Sequence, residues 1–204
     1  MKRTNNNNWI FTISIILTAI VLAFLSFIPI NMEYIKPFVV YFDPTKLLSN
    51  LPLWIFINSI IALYSHSEKT ATLNTTLFNI VCFVSYCLFS IILTHTMPKE
   101  MFLTWIVFTL IWAIFAYLVW SANRQDTKGW ILSTILLAIL FSTCFTYTEN
   151  TISSTTILNF LLYVFLVVIL YKGTKETLII VVLSILLAMI LNKFQIQIIF
   201  TKSA

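Results

Sequence analysis

Charged residues are scarce in this chain. Asp, Glu, Lys and Arg make up 9% of its 204 residues, whereas an average soluble domain contains about 25%. Hydrophobic residues make up 60%. A soluble protein of this length cannot bury so much apolar surface, because a folded domain needs a polar shell. The composition therefore excludes an ordinary soluble domain and predicts a protein that uses lipid as its solvent.

Glycine and cysteine are also rare. The two glycines, Gly129 and Gly173, are few for membrane helices that pack tightly or unwind at a substrate site. The three cysteines, Cys82, Cys87 and Cys144, form no Cys-x-x-Cys pair, and their odd number argues against a disulfide framework. We therefore interpret them as packing residues, and we expect neither a metal site nor a cofactor.

What the chain does have is a series of long apolar runs without charge. A helix needs about 20 apolar residues to cross the hydrocarbon layer of a bilayer. We therefore predict an all-α fold: a polytopic transmembrane bundle of six to seven spans in up-and-down order, forming one integral membrane domain over residues 1–204. The predicted spans are residues 9–31, 44–65, 76–97, 101–121, 130–148, 153–171 and 177–193.

The connection between the first two spans is rich in proline. Residues 33–43 carry aromatic residues and flanking charges, which is typical of a segment in the outer membrane interface. Asp43 and Pro44 fit the N-cap and first position of a helix, in which Pro52 would cause a kink. The alternative is a helix that starts near Leu51, with about 15 residues, which is short for a crossing.

Orientation follows from the positive charges near the span ends. Under a seven-span topology, seven cations of the N-terminus and loops fall on one side and three on the other, with Lys193 and Lys202 in the C-terminal tail. Positive charge favours the cytoplasmic side, so we predict a multi-pass protein of the cell (cytoplasmic) membrane with a cytoplasmic N-terminus. The first apolar run is too long for a cleaved signal peptide. The seven are Lys2, Arg3, Lys69, Arg124, Lys128, Lys172 and Lys175; the three are Lys36, Lys46 and Lys99.

The net charge of +5 does not require a nucleic-acid partner. The cations are spread along the predicted membrane borders, where lipid phosphates neutralise them. We expect membrane lipid and other membrane subunits as partners, and no nucleic acid.

Residues that could perform acid–base chemistry are few. The outer side of the predicted bundle has His95 and Glu100 near one another in sequence, together with Asp43 and Glu33. A histidine with carboxylates at the membrane interface is what a lipid-modifying enzyme requires. The alternative is that all four are hydrated border residues. Because no catalytic motif accompanies them, an enzyme is the less favoured interpretation.

Uncharged polar and aromatic residues inside the spans form a second group of candidates. In the third span they recur on one helical face, and the fourth span adds tryptophans along another. One interpretation is a weakly polar, aromatic-lined binding site for an amphipathic ligand. The other is hydrogen bonding between helices, with tryptophans as packing residues. The candidate ligand-binding residues are Asn79, Tyr86, Trp105, Trp112 and Asn159.

Taken together, these features favour a non-enzymatic, permease-like protein or accessory membrane subunit that handles an amphipathic ligand or a partner helix. The alternatives are the lipid-modifying enzyme and a purely structural or immunity-type subunit. Ser184 and Ala188, four residues apart in the last span, predict a helix–helix contact. We find no convincing internal repeat in the sequence.

Overall fold

The computed structural model describes residues 7–26, 51–148, 151–154 and 157–193. Seven helices lie in these ranges, together with one pair of short strands. In chain order they are α1 (Asn7–Leu25), α2 (Leu51–Tyr64), α3 (Glu68–Thr94), α4 (Met101–Ala122), α5 (Thr127–Cys144), β1 (Phe145–Thr148), β2 (Thr151–Ser154), α6 (Ile157–Ile169) and α7 (Thr174–Lys193).

Four helices are long and apolar enough to cross a membrane: α3, α4, α5 and α7. The other three are apolar but shorter over the described side chains. The described part of α2, 14 residues, extends about 21 Å at 1.5 Å per residue, against the roughly 30 Å of a hydrocarbon core. The predicted helical fold is thus confirmed, with four helices that could span a membrane, whereas the number of six to seven spans stays a prediction.

Two predicted spans end differently in the structure. Residues 145–148 and 151–154, which we assigned to the ends of spans 130–148 and 153–171, are antiparallel strands paired from Phe145↔Ser154 to Thr148↔Thr151. The structure differs from the predicted helix there: Phe145–Thr148 reads FTYT, and its Thr and aromatic residues favour a strand, as do Thr151 and Ile152 in the partner segment. Apolar character alone does not separate the two states.

Local capping explains where α3 begins. The Ser67 side chain accepts a hydrogen bond from the Thr70 backbone N–H (3.2 Å), and the Thr70 hydroxyl accepts one from the Ser67 N–H (2.7 Å). This capping box satisfies donors that a helix start leaves unpaired. It places the start of α3 at Glu68, well before the predicted span start at residue 76.

Pro52 is the second described residue of α2, and the carbonyl of residue 48, which a backbone N–H at this position would meet in a helix, lies outside the described residues. Residues 27–50 lie outside the described part of the chain. The predicted helix start at Asp43, the kink at Pro52 and the interfacial segment 33–43 therefore stay predictions.

The described residues group into two compact units. Unit one comprises residues 1–50 and 60–120, and unit two comprises residues 51–59 and 121–204, so α2 contributes to both. The prediction of a single domain over 1–204 is neither confirmed nor contradicted by this grouping.

Unit one is built on two parallel helices, α1 and α3, packed along each other. Thr12 near the start of α1 donates to Asn74 near the start of α3 (3.4 Å), and farther along, the rings of Phe24 and Phe89 meet edge-on with centroids 5.4 Å apart. Because the contacting residues occur in the same order along both helices, α1 and α3 run in the same direction.

Unit two is built on α5 and α7, which also pack along each other. The Lys172 ammonium, just before α7, donates to the Arg124 carbonyl, just before α5, so both helices start at the same end. Between them in sequence, α6 contributes Tyr163, whose hydroxyl is 3.3 Å from that of Ser184 on α7. Ser184 and Ala188 are fully buried, in agreement with the predicted contact.

Candidate functional site

The candidate residues of the third and fourth spans lie together in unit one, on α3 and α4. Asn79 is fully buried and Trp112 is 6% exposed, while Tyr86 and Trp105 are half-buried. The fifth candidate, Asn159, is buried on α6 in unit two. The first four therefore lie in one candidate region of unit one, and Asn159 is described with unit two.

A continuous series of rings joins the two helices. Phe83 of α3 lies one turn after Asn79, and its ring meets that of Trp105 on α4 with centroids 5.7 Å apart and planes inclined by 31°. Along α4 the series continues from Trp105 to Phe108 (5.8 Å) and from Phe108 to Trp112 (6.1 Å). We call Asn79, Phe83, Tyr86, Trp105, Phe108 and Trp112 the α3–α4 strip.

The α3–α4 strip contains no group that ionises near neutral pH. Its polar groups are one amide, one phenol and two indole N–H groups, all on helical side chains. Aromatic faces supply large apolar area at low conformational cost, and amide and hydroxyl groups orient a polar head. The strip is therefore suited to binding by apolar contact and hydrogen bonds rather than to proton transfer.

The candidate catalytic residues are not brought together by the described part of the structure. His95 is the C-cap of α3, in the left-handed conformation (φ 53°), and its backbone N–H donates to the Ile91 carbonyl. Both His95 and Glu100 are exposed. Asp43 and Glu33 lie outside the described residues, so the proposed set of four is not assembled here.

Hydroxyl groups hold the turn around His95. Ser90 donates to the Thr96 carbonyl (2.8 Å), and the Thr94 and Thr96 hydroxyls are 2.7 Å apart. These hydrogen bonds stabilise the turn that ends α3. The role of His95 there is structural, as the C-cap residue. Among the residues that the structure describes, no group of three His, Cys, Asp or Glu side chains could hold a metal ion.

A polar network that the sequence did not predict joins four segments of unit one. Asn74 donates to the Ser65 hydroxyl (3.1 Å), and the Trp120 indole donates to the Ser65 carbonyl (3.0 Å). Thr12 donates to Asn74, as described above, so α1, the end of α2, α3 and α4 are linked. We call Thr12, Ser65, Asn74 and Trp120 the Ser65 network. Its members belong to four different segments of the chain. In the sequence, only their positions near helix ends could have indicated that they interact.

A group of charged side chains lies before α5 in unit two. Arg124 and Asp126 form an ion pair (2.9 Å), and Asp126 caps α5 by accepting from the Gly129 N–H (2.9 Å). The hydrogen bond from Gly129 is the main reason why the pKa of Asp126 lies below its usual value, and Arg124 adds to it. Partial burial lowers the pKa of Lys172, against the opposing effect of Asp126. We call Arg124, Asp126, Gly129 and Lys172 the Arg124 corner.

Gly129 makes this corner sterically feasible. A Cβ atom at this position would overlap the Arg124 carbonyl group, lying 2.7 Å from its carbon, and would sit 2.8 Å from the Lys172 ammonium. Only glycine lets the 123–126 loop approach the first turn of α5 so closely. One of the two glycines in the chain is thus used for a close backbone approach.

Comparisons of this chain with protein-family models, with curated proteins and with solved structures find no match. The functional argument therefore rests on the α3–α4 strip itself.

Proposed function

We propose that this chain is a non-enzymatic integral membrane protein, permease-like or an accessory subunit, which binds an amphipathic small molecule on the α3–α4 strip. The observation that carries the proposal is the continuous ring series from Phe83 through Trp105 to Trp112, lying beside the polar face of α3 that includes Asn79. Rings would hold the apolar body of a ligand, and the half-buried Tyr86 would meet its polar head.

The chemistry of the strip narrows the ligand class. A charged group that leaves water needs a partner of opposite charge, and none of the six strip residues carries a charge. We therefore propose a ligand with no net charge in its head group. A lysophosphatidylcholine, with one acyl chain and a zwitterionic head, represents this class as a probe.

Photolabelling tests the proposal. A diazirine-bearing lysophosphatidylcholine is added to the reconstituted full chain and irradiated, and the adducts are located by mass spectrometry. We expect adducts near Tyr86 and Trp105 that an excess of unlabelled lysophosphatidylcholine removes. Adducts at the exposed Leu110 should persist, because a lipid-facing position is not saturable. Labelling without competition at the strip would contradict the proposal.

A substitution makes the test specific. Trp105→Leu should weaken competition about 2- to 10-fold, because one aromatic contact contributes about 0.5–1.5 kcal/mol. The control is Phe165→Leu, an exposed aromatic residue on α6 in unit two, which should leave competition unchanged. If the occupant is instead a partner helix, Trp105→Leu would release a co-purifying membrane protein and leave lipid labelling unaffected.

Topology completes the proposal. We propose seven spans, with the N-terminus and the 122–129 loop on the cytoplasmic side of the cell membrane, as the loop charges predict. A single cysteine at the exposed Gln125, in a variant without native cysteines, should react with a membrane-impermeant reagent only after the cells are opened. Labelling of intact cells would reverse the orientation.

A further inference from the structure

Four basic residues lie at one end of the α5–α7 pair in unit two. Lys172, just before α7, donates through its ammonium to the carbonyl of Arg124, just before α5. Lys128 is the second residue of α5, and Lys175 is the second residue of α7. Because α5 and α7 pack along each other and start at the same end, the four residues lie near the two helix starts. We call them the α5–α7 cation group.

Three members of this group act on a single carboxylate, that of Asp126. The Arg124 guanidinium is paired with it at 2.9 Å. After the larger effect of the Gly129 hydrogen bond, the positive charges of Arg124 and Lys128 stabilise the charged form of Asp126. Asp126 in turn stabilises the charged form of Lys172. Three cations therefore lie near one anion.

A second carboxylate does not remove the excess of positive charge. Glu176 is the third residue of α7, and its carboxylate lies against Gly173, the residue before the helix. Residues 121–130 and 171–177 together contain four cations and two carboxylates, which leaves a surplus of two positive charges. Such a surplus beside an apolar medium attracts anions.

The depth of the α5–α7 cation group matches that of lipid phosphates. The apolar helices that could cross the membrane start at Thr127 and Thr174, so the four cations lie in the first turn of each helix or directly before it. The half-buried Trp130 and the exposed Tyr171 lie at the same helix ends, and such aromatic residues are typical of the membrane interface. The cations are therefore placed where the hydrocarbon ends and the head groups begin.

Each helix also continues from its lysine into an apolar surface. On both α5 and α7, an exposed lysine of the first turn is followed three and seven residues later, on the same helix face, by two exposed apolar side chains. These sets are Lys128, Ile131 and Ile135 on α5, and Lys175, Leu178 and Val182 on α7. A free phosphate would use only the cations, whereas a phospholipid would use the cations for its phosphate and the apolar side chains for its acyl chains. The arrangement favours the lipid.

We propose that the α5–α7 cation group binds the phosphate of an anionic phospholipid, whose acyl chains lie along the exposed apolar residues that follow Lys128 and Lys175. Basic groups at the ends of membrane helices recognise anionic head groups in this way. Since the cations come from two helices, the bound lipid joins the start of α5 to the start of α7. This site shares no residue with the α3–α4 strip and takes a different class of lipid, so it does not rest on the proposed function.

Photolabelling in a bilayer tests the site. The full chain is reconstituted in phosphatidylcholine vesicles that contain a trace of phosphatidylglycerol with a diazirine near the head-group end of one acyl chain. A parallel sample contains the same diazirine on phosphatidylcholine. At Ile131 and Leu178, labelling by phosphatidylglycerol should exceed that by phosphatidylcholine at least about fivefold, the contribution of one lysine near an anionic lipid. At the exposed Leu110 of α4 the two probes should label equally. Equal labelling at Ile131 and Leu178 as well would overturn the proposal.

A charge-matched pair of double variants makes the test specific. Lys128→Gln combined with Lys175→Gln removes two exposed lysines and leaves the ion pair between Arg124 and Asp126 in place, and it should bring the labelling ratio close to one. Lys69→Gln combined with Lys99→Gln removes the same charge at exposed positions of unit one and should preserve the ratio. Equal losses in the two double variants, or no loss in the first, would overturn a site at α5 and α7.

Two measurements on the unsubstituted chain do not depend on the folding of any variant. Raising the salt concentration from about 0.1 M to about 1 M shortens the screening length from about 10 Å to about 3 Å, so the preference for phosphatidylglycerol should weaken, and a salt-independent preference would contradict the proposal. Inorganic phosphate at the same ionic strength as chloride should have no additional effect. If phosphate removed the preference where chloride did not, the site would be one for free phosphate, and the assignment to a lipid would be wrong.

Discussion

The two units share a plan of parallel helices but are stabilised by different chemistry. In unit one, uncharged side chains of the Ser65 network connect four segments through an amide, two hydroxyls and an indole. In unit two, the Arg124 corner uses an ion pair, an ammonium and a close backbone approach at Gly129. One arrangement of helices is thus compatible with either uncharged or charged contacts at its helix ends, and the two units should respond differently to substitution, salt and pH.

The largest difference in stability between the two units should come from Gly129→Ala, which affects unit two alone. The added methyl group would overlap the Arg124 carbonyl, which is backbone and cannot rotate away. We expect a loss of about 3 kcal/mol in the free energy of unfolding, because overpacking outweighs the helical preference of alanine. Hydrogen exchange should accelerate in α5 and α7 but not in α1 and α3. Gln125→Ala, an exposed change in the same loop, is the control; equal effects of the two variants would contradict the role of Gly129.

Asn74→Leu should have the corresponding effect on unit one. It removes both the donor to Ser65 and the acceptor for Thr12, and we expect a loss of about 2 kcal/mol, because each of these two part-buried hydrogen bonds contributes about 1 kcal/mol. Thermal unfolding in detergent provides the measurement. Combining Asn74→Leu with Trp120→Phe tests coupling through Ser65: simple addition of the two losses would show that the Ser65 network does not act as a unit.

His95→Gly should increase the stability of unit one, by less than Asn74→Leu decreases it. In unit one His95 has a left-handed backbone (φ 53°), whereas in the described part of unit two Gly173 has a positive φ. Replacing His95 with glycine relieves a left-handed strain of about 1 kcal/mol, so the melting temperature should rise. Thr96→Gly introduces the same residue at a neighbouring position and should lower it. If His95→Gly abolishes lipid handling while raising stability, a functional role for His95 would replace the structural one.

The smallest expected difference is a dependence on pH. The pKa of Asp126 is lower in the folded protein than its usual value of 3.8, mainly through the Gly129 hydrogen bond. A lowered folded-state pKa stabilises the fold above the unfolded-state pKa, and this contribution is lost as the pH falls through the folded-state value. Stability should therefore decrease below about pH 4. Asp126→Asn should flatten that part of the melting-temperature profile, and an unchanged profile would show that Asp126 does not contribute.

Membrane helices were the most predictable part of the fold. The predicted span 101–121 and the observed α4 (Met101–Ala122) nearly coincide, because charged residues border the apolar run on both sides. The start of α3 was missed by eight residues, since a capping box between Ser67 and Thr70 depends on hydrogen bonds rather than hydropathy. The strands at 145–148 and 151–154 were missed because apolar and β-branched residues suit both strand and buried helix.

The candidate site was predictable in part. The helical spacing of Asn79, Tyr86, Trp105 and Trp112 indicated which residues face inward, and the structure places these four in unit one. The ring contact between Phe83 and Trp105 and the hydrogen bond between Trp120 and Ser65 were not predictable, because they join residues of different helices.

The length of α3 has a consequence for the surrounding lipid. Its 27 residues extend about 40 Å, roughly 10 Å more than the hydrocarbon layer, and this surplus equals about seven residues. Since Glu68 and Lys69 are charged, the first seven residues, Glu68–Asn74, are the part expected to project into the head-group region. Asn74 then sits at the boundary where water begins to compete for its hydrogen bonds. A thicker bilayer would draw it into a less polar medium and strengthen the Ser65 network, so that membrane thickness becomes a variable that tunes the stability of unit one.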